Sequence, residues 1–198
     1  MCAAGYGSSS RLYEKTDGQL GMTPSEYRAG GRAALIRYTT AACELGRVLL
    51  AVTGIGVCAV SIADADPALD AFLRSEFPAA DLVRDDAGLA DWLAELLRAV
   101  AGGPHRALPI DVQATAFQRR VWEALQRIPR GETRTYRDLA EAIGKPTAVR
   151  AVARACATNP TAVLVPCHRV IGTDGKLHGF RWGLDRKQKL IDAERNDS

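Results

Sequence analysis

Val165-Pro166-Cys167-His168-Arg169-Val170 is the stretch on which the reading of this chain turns. It follows an apolar run, Ala162 to Val165, and precedes a glycine-marked turn, Gly172 to Gly175. A cysteine is a useful nucleophile only as thiolate, and an ordinary thiol is mostly protonated at neutral pH. An adjacent imidazole or a nearby cation favours the ionised form. Pro166 fixes its own φ and biases Val165 towards an extended backbone. The stretch therefore predicts a stiff extended segment that presents Cys167 beside His168. Taken alone, a Cys-His pair is also what a packed core cysteine looks like.

Upstream, the apolar spacing changes to that of helices. Thr115 caps a helix through Ile128, with Phe117, Val121, Trp122, Leu125 and Ile128 on one face. Pro129-Arg130-Gly131-Glu132 is a turn. Thr135 caps Tyr136 to Ile143, and Thr147 caps Ala148 to Ala157 after the turn Gly144-Lys145-Pro146. Two helices of about three turns, joined this way, predict a helix-turn-helix. The second is rich in alanine, so it is thin and can press into a groove, with only Arg150 and Arg154 projecting far. From Arg119 to Arg154 there are nine basic and four acidic residues, a net of +5, which suits a polyanionic partner. Both arginines are candidates for phosphate contact.

Further elements surround this core: Asn159-Pro160 eight residues before Cys167, then Gly179-Phe180-Arg181-Trp182-Gly183-Leu184, and Glu194 in a charged amphipathic end. Together they resemble the O6-alkylguanine-DNA alkyltransferase family, and within it the C-terminal half of Ada-type members. The resemblance runs from Ile36 to Glu194 and is dense from Phe117. It implies an α/β fold in which a ribonuclease H-like β-meander with helices precedes a mostly helical, winged helix-turn-helix-like part. It also implies DNA repair by single-turnover transfer of the alkyl group of O6-alkylguanine, and of O4-alkylthymine, to Cys167. The partner is duplex DNA and no cofactor is needed, because the alkyl group arrives on the DNA. The O6 substituent lies inside the duplex, so the base must first be flipped out.

The same resemblance implies roles for individual residues. His168 takes the thiol proton through a water and Glu194 steadies the imidazolium. Asn159 holds the backbone of the active-site turn, although Asn-Pro is equally an ordinary turn signal. Tyr136 donates to the guanine ring, or else is a core tyrosine. Arg150 fills the space of the displaced base from the minor groove, while Arg154 contacts phosphate or makes a surface ion pair. Thr135, Ala148 and Ala151 complete the DNA face. Val170, Phe180 and Arg181 line the base pocket. Phe180 stands where many members carry Tyr, and Arg181 where some carry Ser, which leaves only its backbone N–H for guanine O6. An Ada-type link to transcriptional regulation goes with the resemblance.

The rest of the chain brackets this reading. Residues 1–30 resemble the tail of an AraC-type helix-turn-helix and are expected to form a peripheral arm, including a capped helix over Arg11 to Lys15. Residues 31–104 are expected as an α/β domain: strands over Leu35 to Thr40, Val48 to Val52 and Val57 to Ile62, then helices over Ala68 to Phe77 and Asp86 to Val100. Residues 105–198 form the DNA-binding and alkyl-acceptor domain, entered through an extended connector, Leu108 to Val112. Asp64 to Glu95 carries a net charge of −7, read as a solvated helix face. Five scattered cysteines without a Cys-x-x-Cys pair fit a reducing compartment and no structural metal. No apolar run reaches 18 residues and the N-terminus has no leader pattern, so a cytoplasmic protein without a membrane span is expected. A monomer is expected as well. Three competing readings are a cysteine hydrolase using Cys167 and His168, a DNA-binding regulatory fragment without repair activity of its own, and a lesion-binding relative that has lost the nucleophile, against which the intact Cys167 argues.

Overall fold

A computed structural model describes residues 34–196, so the reading of residues 1–30 as an arm lies outside the described residues. The fold is α/β. Strands β1 (Leu35–Cys43), β2 (Gly46–Val52) and β3 (Val57–Ala63) form the expected antiparallel meander. Helix α1 (Asp66–Glu76) then returns the chain to β4 (Asp81–Arg84), which pairs in parallel with β1. The sheet order is β3-β2-β1-β4. Strand β2 is buried on both faces: Val48, Leu50 and Val52 join the cluster under α2 (Ala90–Val100), and Leu49 and Ala51 the cluster under α1. This alternation is the two-residue period of a central strand.

Several boundaries differ from expectation, each for a local reason. Strand β4 was not anticipated, because four residues with three side chains exposed carry no alternating pattern. Helix α2 starts at Ala90 and not at Asp86. The Asp85 carboxylate accepts the Gly88 N–H at 2.8 Å and pairs with Arg37, while Asp86 accepts from Thr39 at 2.7 Å. Those carboxylates tie the segment to β1 before the helix begins. With Arg47–Asp66 and Arg84–Asp86, they pair three members of the acidic run with arginines of the sheet.

The outer edge of β3 is covered by the connector and the Asn-Pro segment. Val57 N–H donates to Pro109 C=O, Asp111 N–H to Val57 C=O, and Val60 N–H to Pro160 C=O, each at 2.8 Å. At Gly56 a Cβ would lie 2.7 Å from the Pro109 carbonyl oxygen, so this crossing requires glycine.

The second half builds on α3 (Ala116–Gln126), α4 (Tyr136–Ala142), α5 (Val149–Ala157) and α6 (Leu184–Asn196). Capping boxes at Thr115–Gln118 and Thr135–Asp138 start α3 and α4 as expected. Thr147 is not the cap of α5: the N-cap is Ala148, with no side-chain bond, and its N–H donates to Lys145 C=O at 2.9 Å. A two-residue parallel ladder joins β5 (Arg134–Thr135) to β6 (Val170–Ile171), Arg134 opposite Val170. It fastens the start of α4 to the exit of the Cys-His segment. The two halves share core: Ala162, Val163, Trp182 and Leu190 belong to the cluster on the α2 face of the sheet.

Candidate active site

The Cys-His stretch is not extended. Val163 lies at φ 71°, and Cys167–Arg169 form one turn of 3-10 helix after Pro166. A tight turn aims three consecutive side chains in separate directions, which an extended strand cannot do. All three side chains are buried, Cys167 at 4% exposure and His168 at 0%.

Asn159 organises the turn. Its Nδ2 donates to Val165 C=O at 2.8 Å and to Cys167 Sγ at 3.3 Å. Its Oδ1 accepts from Thr161 N–H at 3.0 Å and Thr161 Oγ1 at 3.2 Å. The amide is therefore oriented by the backbone and thiol it holds. His168 Nε2 meets Glu194 Oε1 at 2.9 Å. Since a carboxylate only accepts, Nε2 carries the proton and Nδ1 keeps its lone pair. His168 Nδ1 is buried with no hydrogen-bond partner among the described residues.

Glu194 receives more than the imidazole. Arg169 Nε donates to Oε2 at 2.9 Å, its second guanidinium nitrogen to Oε1 at 2.8 Å, and Gly131 N–H to Oε2 at 3.3 Å. Arg169 also donates to Ile128 C=O at 2.6 Å. Burial pushes the Glu194 carboxyl up, but the hydrogen bonds from His168 and Arg169 outweigh it and hold the pKa at about 2. Burial holds His168 below its ordinary value against the pull of Glu194, so the resting imidazole is neutral. Burial raises the Cys167 thiol, only partly offset by Asn159 and by the charge of Lys187. At rest the sulfur is a protonated thiol beside a neutral base.

Tyr136, at the start of α4, donates through its hydroxyl to His178 C=O at 3.2 Å. Burial above all, with the neighbouring Cys156 and Cys167 adding to it, pushes its phenol up to about 12, so it is a donor throughout the neutral range. The same carbonyl accepts Lys187 Nζ at 2.7 Å. Burial lowers the Lys187 ammonium, and the sulfurs of Cys167 and Cys156 draw it back up.

Arg169 and Lys187 complete the site but were not singled out from the sequence. The buried positions of α6 are Lys187, Leu190, Ile191 and Glu194. A lysine on that i, i+3, i+4, i+7 stripe was the available signal, since a charge on a buried face needs a partner. For Arg169, only its place inside the Cys-His stretch pointed inward.

The other candidates fall into two groups. Val170 is buried and Phe180 half-buried, both packed in the cluster that contains Cys167. Arg181 turns away: its guanidinium sits 4.9 Å over the Phe72 ring and 3.6 Å from Glu76, leaving the backbone as its only contribution to a pocket. On α5, Arg150, Ala151 and Arg154 are exposed, Ala148 is half-buried, and Val152, Ala155 and Cys156 face inward. Thr135 is half-buried at the start of α4. Two cavities, of about 350 Å³ beside Trp122 and Val165 and about 470 Å³ beside Pro166 and Arg169, flank the active-site segment, and Cys167 lines neither. Among the described residues no helix is long and apolar enough to cross a membrane.

Residues 116–196 match the family described as "6-O-methylguanine DNA methyltransferase, DNA binding domain". The chain is 46% identical over 192 residues to the bifunctional transcriptional activator/DNA repair enzyme Ada of Escherichia coli, covering 96% of this chain and 54% of that protein. It thus spans about half the length of that relative. To the inducible methylated-DNA--protein-cysteine methyltransferase of Bacillus subtilis it is 43% identical over 126 residues, 63% of this chain and 70% of that one. The fold superposes on Mycobacterium tuberculosis OGT in complex with DNA with a TM-score of 0.69 at 35% identity, covering 82% of this chain and 94% of that chain. With the Asn159–Cys167 and His168–Glu194 contacts in place, these likenesses show that the chain belongs to the methylated-DNA--protein-cysteine methyltransferase family.

Proposed function

We propose that this protein repairs duplex DNA by moving the alkyl group of O6-alkylguanine, methyl above all, onto Cys167 in a single turnover. O4-alkylthymine is a second substrate of the same type. The observation that carries the reading is the buried run Asn159–Cys167–His168–Glu194, with a donor on the thiol and a lone pair on the neighbouring imidazole.

The chemistry follows from the protonation states. His168 Nδ1 takes the thiol proton through a water, and Glu194, ionised and locked by Arg169, stabilises the imidazolium. Cys167 Sγ attacks the alkyl carbon in line. The S–C bond forms, the C–O6 bond breaks, and the electron pair goes to the guanine ring. Tyr136 exchanges its bond to His178 C=O for one to the ring and supplies the balancing proton, which it regains from water as the imidazolium releases the thiol proton. Cys167 and Val170 carbonyls read the exocyclic amine. A thioether has no route back to thiol here, so each molecule acts once.

The base reaches the sulfur by flipping, with the exposed face of α5 in the minor groove. Arg150 takes the place left in the stack, Arg154 holds phosphate, and Thr135, Ala148 and Ala151 pack along the backbone. Exposure of Arg150 and Arg154 on a helix otherwise anchored by Val152, Ala155 and Cys156 supports this docking. The sheet order β3-β2-β1-β4 with a parallel β4 supports a ribonuclease H-like first half. The β5–β6 ladder against α4 and α5 supports a winged helix-turn-helix second half, with the division near residue 104. The protein acts as a cytoplasmic monomer.

The test is transfer from an O6-methylguanine duplex by wild type and by Cys167→Ser. Wild type is expected to take up one methyl group per molecule, and the variant none. A regulatory fragment without repair activity would instead bind undamaged DNA by sequence and transfer nothing.

A further inference from the structure

We propose that helix α1 clamps the wall of the base pocket, and that Phe72 and Glu76 on it set how large an alkyl group the protein accepts. This rests on the alkyl-transfer reading above. The wall is Phe180–Trp182, bounded by Gly179 at φ 31° and Gly183 at φ 96°. A Cβ at either glycine would meet nothing within 4 Å, so positive φ and not crowding calls for glycine there. Gly183 N–H donates to Phe180 C=O at 3.0 Å and Gly183 C=O accepts from Lys187 N–H at 3.2 Å, so the segment is a closed turn whose position is set by its side-chain contacts.

Each of those side chains is tethered to the first half of the chain. Trp182 Nε1 donates to Ser61 Oγ on β3 at 3.2 Å, and the Phe180 ring packs edge-on against Trp182 with centroids 5.2 Å apart. Trp182 C=O accepts from Arg186 at 3.0 Å, and Arg186 in turn donates to Leu45 C=O in the β1–β2 turn at 2.8 Å. Arg181 lies over Phe72 and beside Glu76, which are four residues apart and so adjacent on the surface of α1. Trp182 is a core residue, whereas the Arg181 side chain is 38% exposed. Arg181 also lies 5.9 Å over the Trp182 ring. The Arg181–Glu76 contact is therefore the tether that can be loosened without opening the core, while Phe72 also packs on the cluster under α1.

Phe180 packs against the cluster that contains Cys167, so an alkyl group brought to the buried sulfur meets this wall. A methyl group asks little of it. A benzyl group requires Phe180 to retreat, which a clamped segment resists. Small O6-alkyl groups are then the preferred class.

The experiment compares single-turnover transfer from O6-methylguanine and O6-benzylguanine duplexes at saturating DNA. The proteins are wild type, Glu76→Gln, Phe72→Leu and the double variant. The double variant is expected to raise the benzyl-to-methyl rate ratio about tenfold, the size of one half-buried cation–π contact plus one half-buried ion pair. Its methyl rate stays within about twofold, on the same reckoning that contacts of this size carry little of the fold's stability. Amide exchange quickens at residues 179–183. An unchanged ratio with unchanged exchange overturns the proposal. So does a parallel fall of both rates with Tm, which marks a structural role only. Absence of methyl transfer by wild type would defeat the alkyl-transfer reading itself, and the clamp with it.

Discussion

The role proposed for His168 sets two requirements that pull against each other. As a base it must be neutral at rest, and as an imidazolium it must be held during the reaction. Burial supplies the first and Glu194 the second. Because burial places its pKa below the ordinary 6.5, neutral His168 persists as pH falls through that value. The single-turnover rate should accordingly hold through pH 6.5 and fall only at lower pH. An acid limb centred at or above 6.5 in a rate–pH profile would speak against His168 as the base. Cys167 and His168 were legible in a short pattern that limits their chemistry, whereas Asn159 and Glu194 were legible only through the resemblance to the alkyltransferase family. The sequence did not display Arg169 and Lys187 as functional, because burial of a cation depends on which helix packs over it. The turn at Cys167 escaped for a similar reason. Pro166 argues for extension locally, and it is the Asn159 bond to Val165 C=O that folds the segment back.

Helices α3, α4 and α5 were legible because caps and apolar spacing agreed. The exception is instructive, since Thr147 had the residue type of a cap without the position. Thr135→Ala removes a full capping box and should cost about 1 kcal/mol in urea unfolding. Thr147→Ala, which removes no side-chain cap from α5, should change stability by less than about 0.5 kcal/mol. Equal effects would contradict these boundaries. On α5 the two exposed arginines should separate by kinetics. Arg154→Ala should reduce the salt dependence of DNA binding by about one phosphate contact and leave the saturated rate alone. Arg150→Ala should lower the saturated rate on duplex DNA by tenfold or more, roughly a few kcal/mol of lost flipping assistance, while leaving transfer from the free base unchanged. Parallel titrations over salt and substrate form decide between the two roles. Strand β4 was invisible because its existence depends on β1, not on its own four residues.

At the scale of the whole molecule, the boundary expected near residue 104 divides the chemistry better than the packing. Core residues from the second half lie on the sheet of the first. Gly102, at φ 78°, lets the end of α2 meet α6, where a Cβ would stand 2.4 Å from the Ala193 carbonyl group. No periodicity in either half announces that contact. The shared buried charges also set the response of the fold to acid. Glu194 has a folded pKa of about 2 against an ordinary 4.5. Its stabilisation, on the order of 3 kcal/mol, is present above pH 4.5 and lost as pH falls towards 2. His168 adds to the loss below pH 6.5, since the unfolded chain protonates it first. Stability should therefore fall steadily below pH 6.5. Glu194→Gln, which strands Arg169 in the core, should cost about 3–5 kcal/mol near neutrality and flatten the dependence below pH 4.5. Denaturant midpoints across pH for both proteins check this, and a wild-type stability unchanged down to pH 4 would count against it.

The central claim is that one sulfur receives the alkyl group. Intact-mass and peptide mass spectrometry after incubation with an O6-methylguanine duplex tests it directly. The account predicts a gain of one methyl group per molecule, located on Cys167. A methyl group on Cys156, or an unmodified protein beside repaired DNA, would contradict it.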